Sequence, residues 1–224
     1  MRSLFNEMSQ STMSTTDQPL SIVIATNNSG KMDEFEAMRE LLITTHPVLQ
    51  NIRFISQRPW AVKSPEETGD DFISNALIKA RHTAKQTGHP AIGDDSGLVV
   101  DALGGAPGIY SARYAGADAD DQANNQKLIN ALKQAGDQPR TARFVCALSF
   151  VRYADDPNPI CVEGTWEGEV VDTPRGDQGF GYDPLFYSPE HGCTVGELKP
   201  ETKHQCSHRA QALKQLLKAL AQTA

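Results

Sequence analysis

Cysteine is scarce in this chain. There are 4 in 224 residues (Cys146, Cys161, Cys193 and Cys206), and none forms a C-x-x-C pair. A chain this long can bury a core without disulfide staples, so the cysteine usage fits a reducing cytoplasm. Long apolar runs are also missing: no stretch approaches the ~20 residues that span a bilayer. The first 20 residues, MRSLFNEMSQSTMSTTDQPL, are polar and lack the apolar segment of a secretory signal. Positive charge is not in excess. The formal net charge is −7, with a pI near 5.3, which argues against a nucleic-acid coat or a binder of anionic membranes. The 17 Gly and 13 Pro are scattered, which excludes collagen-like order and wholesale disorder. No internal repeat is visible.

The pattern predicts a polar disordered tail over residues 1–19 and a single domain over 20–224. Ser21 to Thr26 (SIVIAT) reads as a buried strand, and Asn27 to Gly30 as a turn. From Lys31 to Ile43, Met32, Phe35, Met38, Leu41 and Leu42 recur at helical spacing. Asn51 to Ser56 predicts a second strand. Asp70 to Thr87 predicts a helix stopped by Gly88 and Pro90. Ala91 to Val100 (AIGDDSGLVV) reads as two short strands broken by an acidic turn. Ala119 to Ala135 predicts a helix. Arg143 to Tyr153 and Pro159 to Val171 predict a hairpin around ADDPN, and Ser207 to Ala221 an amphipathic terminal helix. Strand–helix alternation followed by a long hairpin predicts an α/β fold with a mixed sheet and flanking helices, in two lobes.

Four constellations carry chemistry. Thr26-Asn27-Asn28-Ser29-Gly30-Lys31 joins a strand to a helix, where free N–H groups and the dipole receive anions. It lacks Walker spacing, and a plain capped helix start is the competing reading. Glu66, Glu67, Asp94 and Asp95 form an acidic set. Adjacent acids repel unless a cation offsets them, and Mg²⁺ takes one or two carboxylates with phosphate and water; a solvated turn is the alternative. Gly179-Phe180-Gly181-Tyr182-Asp183-Pro184 alternates glycine with aromatics, as a stacked nucleobase requires, or as a turn into a strand does. Lys203 precedes Ser207-His208-Arg209, with Ser207 as helix N-cap. Cations in a first turn oppose the dipole, so His208 and Arg209 read as ligand-facing. Zinc at His191, Cys193, His204, Cys206 and His208 matches no common finger spacing. Asn75 and Lys79 share a helix face toward the same cleft or solvent. The segment from Gly104 to Tyr114 reads as a site wall or a surface loop.

In this order the blocks IATNNSGK, EETG-x-x-FISNA-x-x-KA, IGDDSGL-x-VD-x-LGGAPGIYSARYAG, ARFVC, GFGYDPLF and SHRAQAL resemble the inosine/xanthosine triphosphate pyrophosphatase family, the Ham1-like hydrolases. The resemblance runs from about Ser21 to Leu220. It implies two lobes around a central nucleotide-binding cleft and a homodimer; a cytoplasmic setting and the lack of nucleic-acid or membrane partners rest on the cysteine usage and acidic charge above. It also implies Mg²⁺-dependent hydrolysis of ITP, dITP and XTP to the monophosphate and pyrophosphate, cleansing the nucleotide pool. By motif, Thr26, Asn27, Asn28, Ser29, Gly30 and Lys31 would hold the triphosphate. Glu66 and Asp95 would bind Mg²⁺, with Asp95 also the proton acceptor. Ser96, Phe180, Gly181, Tyr182, Asp183, Lys203, His208 and Arg209 would surround the nucleotide, with Asn75, Lys79 and Asp94 as further candidates. Asn27 stands where the family usually carries Gly. Two other readings are a pyrophosphatase for pyrimidine or modified nucleotides, as in Maf-like proteins, and a sensor that binds without turnover.

Overall fold

The computed structural model describes residues 19–223. The predicted tail over 1–19 therefore falls, but for its last residue, outside the described residues. Seven strands are present: β1 (Leu20–Ile24), β2 (Ile52–Ser56), β3 (Ala91–Val100), β4 (Thr141–Val151), β5 (Ile160–Val170), β6 (Phe186–Ser188) and β7 (Cys193–Thr194). They form one sheet in the order β2-β1-β3-β4-β5-β6-β7. β1 runs parallel to β2 and β3, while β3 through β7 pair antiparallel, so the sheet is mixed. The helices are α1 (Ser29–Ile43), α2 (Phe72–Thr87), α3 (Asp121–Ala135), α4 (Pro200–Cys206) and α5 (His208–Thr223).

Side chains alternate across a strand, and β4 uses that period to build two cores. Cys146, Leu148 and Phe150 join Phe35 and Met38 of α1 and Leu213, Leu216 and Leu217 of α5. Val145 and Ala147 face the other way, against Phe72 and Ala76 of α2. A further cluster gathers Leu128 and Leu132 of α3 with Leu98, Phe144, Trp166 and Phe186. α2 lies unusually close to the sheet. A Cβ on Gly93 would sit 1.9 Å from the Ala76 carbonyl oxygen, and Ala76 and Ala80 are fully buried.

The helix ends follow capping chemistry. Asn28 caps α1 and Asp71 caps α2, each accepting from a backbone N–H three residues on. α2 stops at Gly88 in the left-handed region. Ser207 accepts from Ala210 N at 3.1 Å, as an N-cap should. The hairpin turn between β4 and β5 is held by Asp156, which accepts from the N–H groups of Arg152 and Asn158.

One prediction is corrected. Ala91–Val100 is a single ten-residue strand, with no turn at the acids. Asp94 and Asp95 pair with Leu148 and Ala147 of β4 and point to opposite faces. Each then finds its own cation, which removes the repulsion that would have broken the strand.

Candidate functional site

The first loop and helix α1 position one end of the site. Thr26 Oγ1 accepts from Asn28 N at 3.1 Å, which tightens the turn. Lys31, in the first turn of α1, reaches Asp94 Oδ1 at 2.5 Å. Thr26, Asn27 and Lys31 border a polar cavity of about 190 Å³. Asn28 and Lys31 border a second cavity of about 230 Å³. Ser29 and Gly30 open the helix and border neither. Asn27 costs no backbone strain: among the described residues only Ala61 is a non-glycine with positive φ. Its side-chain oxygen accepts from Gln57 at 3.3 Å, and Gln57 in turn accepts from Thr83 at 3.1 Å. The Arg58 guanidinium donates to the Asn27 carbonyl.

Of the two acids of β3, Asp94 borders the polar cavity and Asp95 borders neither. Asp94 is buried and accepts from Lys31 and Ser96 on one oxygen and from Arg209 Nε at 2.7 Å on the other. Burial pushes its carboxyl up, but the Arg209 guanidinium and the Lys31 ammonium overcome that and hold it well below the usual carboxylate range. Asp95 faces α2. Lys79 Nζ lies 2.6 Å from Asp95 Oδ1 and 2.6 Å from Glu67 Oε1. Burial raises the Asp95 carboxyl despite Lys79, and neighbouring Glu67 and Asp94 add to the rise. The other Asp95 oxygen, Oδ2, is buried without a hydrogen-bond partner.

The resemblance pairs Glu66 with Asp95; in the structure Glu66 is exposed, and Glu67 is the carboxylate that joins Asp95 on Lys79. Exposure alternates from Pro65 to Asp70, so adjacent side chains on this extended loop point opposite ways. Asn75 is also not cleft-facing. It is fully buried, and its Oδ1 accepts from Gly69 N at 2.8 Å, pinning the acidic loop onto α2. Lys79, four residues on, does reach the acids.

The larger cavity is bordered by Ser96, Phe144, Phe180, Tyr182, Lys203 and His208. The Phe180 ring is 39% exposed, and Lys203 Nζ sits 4.5 Å from its centroid. Asp183 Oδ2 accepts from Phe180 N at 2.9 Å and from Lys203 Nζ at 2.6 Å, so one carboxylate ties the aromatic turn to α4. Tyr182 donates its hydroxyl to the Ser111 carbonyl at 2.8 Å. Ser111 and Ala112, in the short helical turn Gly108–Arg113, border this cavity. His208 is buried and stacks on Phe144, centroids 4.9 Å apart. Burial, then Arg209 and Lys203, depress its pKa well below the ordinary value, so the ring is neutral. Its Nδ1 is buried and unpartnered.

Several residues at the site carry no motif. Glu34 accepts from Arg209 and lies 4.0 Å from Lys203. It sits three residues after Lys31, and that helical spacing is the signal that finds it. Asp121 and Asn125 of α3 bond the backbone of Gly181. Only tertiary packing brings these last two in. Arg113, near the end of the glycine-rich segment Gly104 to Tyr114, bonds Glu67.

Among the described residues no group of three or more His, Cys, Asp or Glu is arranged to hold a metal ion. The His191 ring contacts Ser188 and Trp166. The pair Glu67 and Asp95 does match the chemistry of a hard cation. Two carboxylates converge on one ammonium, and one buried oxygen has no partner.

Mixed sheet, twin polar and aromatic cavities and an alternating acid–base network define an α/β protein with a divided, charged site. The chain belongs to the Ham1 family, whose model matches residues 22–219. It is 51% identical over 199 residues to a dITP/XTP pyrophosphatase of Shigella flexneri, covering 89% of this chain and 97% of the relative. It is 48% identical over 198 residues to one from Coxiella burnetii, covering 88% and 94%. Among solved structures, a HAM1 protein from Coxiella burnetii superposes with a TM-score of 0.82 at 47% identity, covering 91% of this chain and 99% of that one. The Ham1 protein of Staphylococcus aureus gives 0.77 at 40% identity, covering 91% and 100%.

Proposed function

We propose that this chain hydrolyses deaminated purine nucleoside triphosphates (ITP, dITP and XTP) to the monophosphate and pyrophosphate. The observation that carries the reading is that the two cavities share Lys31. One is aromatic and suits a base; the other is polar and contains Lys79 and Glu67. A triphosphate spans the two with its charge at the polar end. The relatives' named activity, dITP/XTP pyrophosphatase, supports the same substrate class.

The chain's own residues divide the work. Thr26, Asn27 and the N-terminus of α1 offer donors to phosphate oxygens. Lys31 is held at the junction of the cavities by Asp94. Asp95 Oδ2 orients the attacking water and takes its proton as the new P–O bond forms at the α-phosphorus. The bond to the β-phosphate oxygen breaks and pyrophosphate leaves. Burial raises the Asp95 carboxyl in the metal-free protein, and a bound cation would lower it, so orienting the water is the larger part of this role. Lys31, Lys79, Arg113, Lys203 and Arg209 are each paired with a carboxylate, so these five do not by themselves neutralise a polyanion. Mg²⁺ held by Glu67 and Asp95 would supply that missing charge and polarise the phosphoryl oxygens. Preorganised electrostatics then contribute most of the acceleration.

At the base end Phe180 offers a face for stacking. Arg209 is already committed to Asp94, Glu34 and Ser96, whereas neutral His208 keeps Nδ1 free. His208 is therefore the side chain suited to donate to a 6-oxo group, and an amine at that position leaves it unsatisfied. The cytoplasmic setting draws support from the four free cysteines, and the homodimer from the family resemblance alone.

The test is a panel of nucleoside triphosphates with Mg²⁺, scoring pyrophosphate against single phosphate. ITP and XTP should lead, releasing pyrophosphate. Comparable turnover of dTTP or UTP, or binding without turnover, refutes the reading. Asp95→Asn should lower kcat about 100-fold or more while the protein stays folded by circular dichroism.

A further inference from the structure

The aromatic turn that faces the base is held from behind by α3. Gly181 N–H donates to Asp121 Oδ2 at 2.7 Å, and Gly181 C=O accepts from Asn125 Nδ2 at 2.9 Å. Both polar groups of one residue are thus fixed by two side chains four residues apart, on one helix face. Gly181 has φ +63°, so the turn adopts a conformation that local preference alone holds weakly in place. Neighbouring Phe180 is partly exposed at the cavity, and its ring sits above Lys203. The opposite side of the turn is tied down by Asp183 and by Tyr182. Asn125 Oδ1 is buried with no partner, so the side chain's one hydrogen bond is the one to Gly181.

We infer that Asp121 and Asn125 are positioning residues that set the angle and height of the Phe180 platform, and so the affinity for the purine end of the substrate. The inference rests on the functional reading above for its ligand, but it concerns base affinity alone. Neither residue reaches the phosphate end: both belong to α3, and neither borders the polar cavity. A purine stacks well only on a ring whose orientation is already fixed, since otherwise binding must first order the turn.

The experiment measures binding of two probes by calorimetry, with no turnover involved: inosine monophosphate for the base end, and inorganic pyrophosphate for the phosphate end. Losing one hydrogen bond to the turn should weaken inosine monophosphate about fivefold in Asn125→Leu. Asp121→Ala should do the same, and Asp121→Asn, which keeps an acceptor, should restore it. Pyrophosphate affinity should stay within about twofold of wild type, well under the effect of one lost hydrogen bond. Amide exchange at residues 179–183 should quicken in the two weakened variants. Unchanged inosine monophosphate affinity overturns the inference. So does an equal loss for both probes, which would mark a merely structural role. A wild-type protein that binds inosine monophosphate yet releases no pyrophosphate from ITP refutes the proposed activity and leaves this inference standing.

Discussion

Asp94→Asn should destabilise the protein far more than a typical isosteric change. The Asp94 side chain is 0% exposed and that of Arg209 is 3%. The substitution keeps the shape but removes the charge that faces Arg209 at 2.7 Å and Lys31 at 2.5 Å. Breaking a buried pair by removing one partner typically costs about 3–5 kcal/mol. Glu34 still contacts Arg209, and the Lys31 side chain is 20% exposed, so the lower end applies, about 3 kcal/mol. With a urea slope of about 2–3 kcal/mol/M, the midpoint should fall by about 1–1.5 M. Acid should close the gap. The Asp94 carboxyl is held well below its unfolded value. Its contribution is therefore complete above the unfolded pKa and is lost as pH falls through the folded one. Urea titrations of both proteins at neutral pH and in acid test this. A loss under about 1 kcal/mol, the scale of an exposed pair, would refute the argument that the network is a buried one.

Three further outcomes follow from single contacts. Glu67→Gln should lose most Mg²⁺-dependent turnover while Glu66→Gln keeps it, read from activity titrated with Mg²⁺; the reverse order would return the metal to Glu66. Gly93→Ala should cost about 3 kcal/mol or more in urea, because its Cβ would meet the α2 backbone and not a flexible side chain. At Asp156, burial works against the charge, but the N–H groups of Arg152 and Asn158 and the Arg152 guanidinium hold the pKa below the usual value. Asp156→Asn should therefore be less stable than wild type at neutral pH, with a deficit that fades as pH drops through the lowered pKa; a deficit independent of pH counts against this.

The parts of the fold that depend on local period were legible in the sequence. Helices α1, α2, α3 and α5 lie where apolar spacing and caps predict, and the β4–β5 hairpin turns where ADDPN predicts. Strand β3 was not legible, because two adjacent acids look like a turn until their cations are known, and Arg209 lies 115 residues away from Asp94. The choice between Glu66 and Glu67 depends on which way an extended loop faces, and its neighbours in sequence carry no sign of that. The neutrality of His208 was hidden for a similar reason. First-turn position disfavours a cation, but the burial that discharges the ring comes from Phe144 and the surrounding core, which lie far off in sequence.

Lys31 is the one ammonium common to both chambers. Anything that draws it toward one side withdraws it from Asp94 and alters the field felt on the other. The occupants of the two chambers are then energetically linked, and the linkage is reciprocal: a leaving group that lingers at the polar end shifts the hold on the nucleoside by the same factor as the nucleoside shifts the hold on it.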